Sequence, residues 1–267
     1  WEAVLHPRAV RSGEPVPIDD EALERWSARV ESRGGEVHRD FFRQVGGLTF
    51  MPIRASSTDA PELARFNPLR VLRPMPAIRP RPRFGLRSGS RTVPPAVQGA
   101  LADVTTVAVF DGGVHDTVGA GLFPIPLVDL TPEPVDPDDL DHGTGVTGAV
   151  LYGLLEPGAQ APQPPLPVES FRVMPAPYNP GDLDGYWILD RIKETLSEDR
   201  HKLVNLSLGP TLAVEDDMEP NRWTAELDQL AWERDIVFVV AAGNDGNQHP
   251  DSGLHRVQVP ADMANAV

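Results

Sequence analysis

Cysteine is absent from the 267 residues. That excludes disulfides and thiolate-held metals, and leaves the compartment of a soluble chain open between cytoplasm and exterior. Long apolar runs are missing too: no stretch approaches the roughly 20 residues needed to cross a bilayer, so no membrane partner is expected. No secretory leader is visible, although the chain starts at Trp1 rather than at methionine. No internal repeat is present. Lysine is scarce beside arginine while proline reaches 29 residues, which reads as genomic composition bias rather than function.

What is present supports a folded chain. A hydrophobic content of 40% over this length suits one large domain or two smaller ones. Charge is divided unevenly. Residues 1–100 carry sixteen arginines against eleven acids, a net of +5; the remainder carries a net of −20, within the −15 of the whole chain. Two modules of opposite sign would attract each other, or the first could meet an acidic partner. The −20 region would repel phosphate, so no nucleic-acid partner is expected.

Residues 1–76 read as a small α+β unit. "WEAVLHP" has strand character, and "DDEALERWSARVESRGG" has acidic caps, apolar Leu23, Trp26 and Val30, and a glycine stop, the marks of a helix. "EVHRDFFRQV" and "GLTFMPI" read as strands, "DAPELARF" as a short helix with Pro61 in its first turn, and "LRVLRP" as a closing strand. The order β-α-β-β-α-β is the split, ferredoxin-like pattern. Residues 77–103, rich in Pro, Arg and Gly, read as a linker; a PxxP ligand is the sharper alternative. From residue 104 strands and helices alternate, which predicts a parallel sheet with helices on both faces. The strands are "VTTVAVFDGG", "SFRVMP", "KLVNLSLG" and "IVFVVAAGN", the first and last continuous enough to be buried on both sides. The helices are "GTGVTGAVLYGLL", with Val146, Ala149, Val150, Gly153 and Leu154 on its apolar stripe, "LDGYWILDRIKETLSED" and "RWTAELDQLAWERD".

In open parallel sheets function collects at the carboxyl ends of strands. Asp111, the run Ser207-Leu208-Gly209 and Asn244 stand at such ends, while His142 opens a helix. Singly, each has a plain reading: a turn aspartate, a surface or capping histidine, a turn asparagine. His142 could also be a metal ligand, a packed core residue or a general base. Asp136, Asp138, Asp139, Asp141 and His142 form a dense cluster, but twelve-residue calcium-loop spacing fails, since the twelfth position from Asp136 is Thr147 and from Asp182 is Lys193. A solvated acidic loop is expected, with no cofactor and no metal beyond a structural calcium that the sequence does not reveal.

The motifs "VAVFDGG", "HGTGVTG", "VNLSLG" and "VVAAGNDG" occur in that order. Together they resemble the subtilisin-like serine proteases, the subtilases, over about residues 104–267. The resemblance implies a subtilisin-like α/β fold and a serine endopeptidase acting on protein or peptide substrates. Position by position it implies that Asp111 orients the imidazole, that His142 is the general base and acid, and that Asn244 donates to the oxyanion, a role for which subtilisin is itself the standing example. Ser207, Leu208 and Gly209 would run beside the substrate backbone, with Ala241, Ala242 and Gly243 as the facing wall of the pocket. Serine is a weak nucleophile that needs an adjacent base, and histidine titrates in the right range, so a general base is the reading of His142.

Three departures qualify the resemblance. The usual Asp-Ser-Gly or Asp-Thr-Gly is "DGG" here, and the second histidine often found in the helix motif is Gly145. The third is larger. The family's Gly-Thr-Ser-x-Ala motif is expected some sixty residues past the asparagine, while only 23 residues follow Asn244. The nucleophile is therefore expected beyond the end of this chain, with 104–267 the first part of a catalytic domain and the fragment alone inactive. The first module resembles a subtilase propeptide in element order, an intramolecular partner; a retained adaptor is the competing view. A catalytically inactive subtilase fold used for binding, and a split enzyme with the serine on a second chain, are the alternative functions.

Overall fold

Burial on both faces marks the central strands of the first layer. In a computed structural model, described for residues 1–8, 15–76, 78, 105–115, 125–154, 162–175, 183–214, 219, 221–253 and 255–267, the chain opens with an antiparallel sheet. Its strands are β1 (Glu2–Leu5), β2 (Glu36–Val37), β3 (Arg43–Val45), β4 (Leu48–Arg54) and β5 (Leu69–Arg73). The order is β2-β4-β1-β5, with β3 also on β4. Helix α1 (Asp20–Glu31) is capped by Asp19, whose Oδ1 accepts from the Ala22 N–H at 2.9 Å; α2 spans Ala60–Leu63. The expected second strand is broken by a 3₁₀ turn at Arg39–Phe41, and both halves pair with β4. The ferredoxin-like order survives with its second strand split.

Six of the seven β4 residues are buried, because the sheet is covered on both faces. On one, Met51 and Ile53 meet Trp26 and Val30 of α1. On the other, Val4, Val45, Leu48 and Phe50 meet Tyr186 of the second half of the chain.

That second half is built on a parallel sheet of β6 (Val107–Asp111), β7 (Leu127–Asp129), β8 (Val168–Arg172), β9 (Leu203–Leu206) and β10 (Val237–Val240). The order is β10-β9-β6-β8-β7. Helices α4 (Asp184–Leu196) and α5 (Arg222–Arg234) cover one face, where Ile188, Ile192 and Leu227 pack on Ala108 and Phe110. Helix α3 (Pro137–Tyr152) covers the other, where Leu151 and Tyr152 pack with Val107 and Val109. Full burial of Ile188, Ile192 and Leu196 contributes about 1.5–3 kcal/mol each. The expected doubly covered parallel sheet is present.

Five details differ from the sequence reading. Strand β7, a short apolar run ending in Asp129, was not foreseen. Strand β10 was expected to be buried on both sides, yet Val237 and Val239 are 47% and 42% exposed; beyond β9, its partner among the described residues is one parallel bridge from Phe238 to Ala266. Helix α3 starts at Pro137, so His142 lies in its second turn rather than opening it. Its buried face is Asp139, Gly143, Thr147 and Leu151, not the expected stripe, and Leu154 is 94% exposed. That face is buried because Gly143 lets the helix settle against Gly113, where an added carbon would stand 2.1 Å from the carbonyl oxygen. The linker expected at 77–103, with its PxxP reading, lies outside the described residues apart from Ile78. Ile78 is buried in the apolar cluster that holds Phe110 and Ile188, contrary to a linker free of the core.

Charge ties the two sheets together. Arg222 is buried, pairs with Glu226 and Asp190, and lies 4.2 Å from the Tyr186 ring centre. From the first sheet, the Arg43 Nε donates to Asp190 at 3.1 Å, and Glu2 accepts from the Tyr186 hydroxyl at 2.7 Å. Arg73 pairs with Glu2, and Arg70 with Glu219. Burial disfavours ionised Asp190, but hydrogen bonds and charge from Arg43 and Arg222 outweigh that and hold its carboxyl below the ordinary range.

Candidate active site

Strand β6 ends at Asp111, and helix α3 crosses that end. Gly113, just after the strand, sits under Gly143: a side-chain carbon at Gly143 would come within 2.1 Å of the Gly113 carbonyl oxygen. At Gly112 an added carbon would come within 2.3 Å of the Asp139 carbonyl oxygen. The residue read from sequence as a tolerable departure is thus the space into which α3 settles. The His115 N–H donates to Thr144 Oγ1 at 3.0 Å, fixing the strand-end loop to the same helix.

This close approach brings His142 and Asp111 together across 31 residues of sequence. Asp111 Oδ1 accepts from the Gly112 N–H at 2.7 Å and lies 2.8 Å from His142 Nδ1. An ionised carboxylate only accepts, so the partner assigns the proton to Nδ1 and leaves the Nε2 lone pair available as a base. The aspartate side chain is 3% exposed and the imidazole 43%. A buried anion orienting a solvent-reachable imidazole is the arrangement general base catalysis requires.

The remaining predicted residues lie on the same rim. Phe110, Leu206 and Val240 share one row across β6, β9 and β10. Ser207, Leu208 and Gly209 leave β9 partly buried, and Ala241, Ala242, Gly243 and Asn244 leave β10 exposed. With strand spacing of about 4.8 Å, they stand roughly one and two strands to one side of Asp111. Ser207 Oγ donates to Asn205 Oδ1 at 3.0 Å, and the Ala241 N–H donates to Leu206 O at 3.1 Å. Gly209 abuts Val259, where an added carbon would be 2.6 Å from the carbonyl oxygen. Gly243 has φ +113 with Gln258 packed beneath it, which turns the chain so that Asn244 follows on the rim.

The acidic cluster is not the solvated loop expected. Asp136 caps α3 by accepting from the Asp138 N–H at 2.8 Å. Asp141 pairs with His115 at 2.7 Å, and Asp139 is buried. Burial first, then the charges of Asp136, Asp111 and Asp138, push the Asp139 carboxyl up to about 6 against the pull of His142. Among the described residues no three His, Cys, Asp or Glu side chains are grouped to hold a metal ion, and no helix is long and apolar enough to cross a membrane. Sequence reasoning missed Asp139 because an i, i+3 spacing to His142 is visible only once the helix start is placed at Pro137. It also missed Arg172, whose guanidinium grips both Asp129 oxygens at 2.8 and 2.9 Å and the carbonyls of Thr131, Glu133 and Pro134, anchoring the loop that leads into α3.

Comparison with known proteins adds a family. A model of the subtilase family matches residues 105–267. Two crystal structures of the epidermin leader peptide processing serine protease of Staphylococcus aureus, one of them a serine-to-alanine variant, are 15% identical to this chain. They align over all of it and 68% and 69% of their own length, with TM-scores of 0.48 and 0.51. The protease domain of PatA is 20% identical over 66% of this chain and 58% of its own, with a TM-score of 0.42. At these identities the 0.51 likeness speaks for the fold alone. No curated protein matches the chain.

Proposed function

This chain belongs to the subtilase family, and from that premise we propose that it supplies the aspartate and histidine of a serine endopeptidase acting on protein or peptide substrates. The observation that carries the reading is the hydrogen bond from His142 Nδ1 to buried Asp111. In this reading His142 Nε2 takes the proton of a serine hydroxyl as the oxygen attacks the scissile carbonyl. Asp111 stabilises the imidazolium, and the proton passes to the leaving amine when the peptide bond breaks. Asn244 donates its side-chain amide to the oxyanion. The backbone of Ser207, Leu208 and Gly209 takes the substrate as an added strand, with Ala241, Ala242 and Gly243 opposite. The nucleophile this reading requires is a serine hydroxyl activated by the imidazole.

The N-terminal unit, residues 1–76, acts in this reading as a propeptide-like partner of the catalytic domain. Its docked sheet, the Arg43–Asp190 and Glu2–Tyr186 contacts and the opposite charges of the two halves support that role.

The test is hydrolysis of an unstructured protein such as casein by the full-length polypeptide after removal of the module. Loss of a general base costs roughly 10²–10⁴-fold, so His142→Ala is expected to lower kcat by at least that. Cleavage that persists in His142→Ala overturns the assignment.

A further inference from the structure

Residues 257–260 are joined to both loops that leave β9 and β10. On the β9 side, the Val214 N–H donates to Val257 O at 2.8 Å and the Val259 N–H to Leu212 O at 3.0 Å, while Gly209 abuts the Val259 carbonyl. On the β10 side, Gln258 makes three contacts in a row. Its N–H donates to Ala242 O at 3.0 Å. Its side chain packs beneath Gly243, where an added carbon would stand 2.9 Å from Cγ and 3.0 Å from Cδ. Its Nε2 donates to Asp245 Oδ2 at 2.7 Å; a carboxylate only accepts, which sets the amide nitrogen toward Asp245. These contacts bracket Asn244, which is itself exposed. Gln258 is 6% exposed, and a buried amide keeps its hydrogen bond because losing it leaves a polar group unpaired.

Resting on the reading that Asn244 donates to the oxyanion, we propose that Gln258 is a positioning residue for that donor: through Ala242, Gly243 and Asp245 it sets the turn from which the Asn244 amide reaches the developing charge. Oxyanion donors act by being oriented before the charge forms, so their effect depends on how firmly they are held. Strand β10 ends at Val240, and Gly243, at φ +113, has no side chain to lock its conformation. The Gln258 clasp supplies the missing rigidity on both sides of Asn244. Through Val257 and Val259 it also ties that loop to the one at 209–214, so both walls share one support.

The experiment uses Gln258→Met, which keeps the bulk beneath Gly243 and removes the donor to Asp245, and Asp245→Ala, which removes the acceptor. On the folded chain, NMR relaxation is measured for the Gly243, Asn244 and Asp245 backbone amides. The wild type is expected to be rigid, with order parameters of about 0.85, and both variants to fall toward about 0.6. In the full-length polypeptide both variants are expected to lower kcat by roughly 10–100-fold with KM unchanged. In an Asn244→Ala background Gln258→Met should lower kcat no further, because the group it positions is gone. Unchanged amide order, a loss that appears in KM, or a kcat loss that persists undiminished without the Asn244 side chain overturns the proposal. If Gln258→Met does not fold, Asp245→Ala decides alone by the same readouts. The relaxation measurement needs no substrate, so an inactive full-length polypeptide counts against the proposed function while the order of the Asn244 loop still decides this role.

Discussion

Gly143 and Gly113 touch: a single carbon added to Gly143 would stand 2.1 Å from the Gly113 carbonyl oxygen. The contact carries helix α3 onto the end of β6, and the residue beside Gly143 is His142. In an ordinary helix, Gly→Ala gains about 1 kcal/mol. Here the sign reverses. Gly143→Ala is expected to lose on the order of 2–4 kcal/mol through overpacking, while Gly145→Ala, where an added carbon meets nothing within 4 Å, gains about 0.5–1 kcal/mol. Urea midpoints of the two variants check the contrast.

The seam between the sheets depends on Arg222, 1% exposed between Asp190, Glu226 and the Tyr186 ring. Arg222→Ala removes the guanidinium that both acids share, leaving Asp190 to Arg43 and Glu226 to Lys193, and is expected to cost about 1–3 kcal/mol. Tyr186→Phe removes the donor to Glu2 Oε1 and should cost about 1–3 kcal/mol. Thermal melts give the totals. Amide exchange in β4 should rise in both variants before that in β6.

Acid should loosen the same seam. Asp190 ionises below its ordinary value in the folded chain, so its contribution is complete above about 3.8, the unfolded value, and is lost as pH falls through the lower folded value. Protection of β4 amides, corrected for the intrinsic pH dependence of exchange, is expected to stay flat from pH 7 to about 4 and fall below it. A fall centred near pH 6 would assign the seam to other groups.

Asp139 carries the opposite sign. Its folded value is raised from 3.8 to about 6, so the stability of its neutral form is present below 3.8 and lost as pH rises through about 6. Asp139→Asn should therefore be more stable than wild type by about 1 kcal/mol at pH 8, with the gain vanishing near pH 3. Denaturant titrations at the two pH values measure it.

The order of elements was legible because periodicity and caps are local: Asp19 before α1, the spacing of Ile188, Ile192 and Leu196, and the apolar run of β6 all read correctly. The Asp111–His142 pair was legible through motif order. Less local features were not. The break at Arg39–Phe41 follows from packing against β4, and the exposure of Val237 and Val239 depends on which strands flank β10. Asp139 reads as one more acid in a polar run, and only the close approach at Gly112 reveals that it is buried. The docking of the first sheet was foreseen as charge attraction, but the apolar contact of Phe50 with Tyr186 had no sequence signal.

The most direct test is the rate of fluorophosphonate labelling of the full-length polypeptide, compared with His142→Ala and Asp111→Asn. The account predicts covalent labelling of one serine in the wild type, slowed by roughly 10²-fold or more in both variants while each keeps its folded circular dichroism spectrum. Wild-type protein that folds but takes no label, or labelling that continues at the same rate without the His142 imidazole, would contradict it.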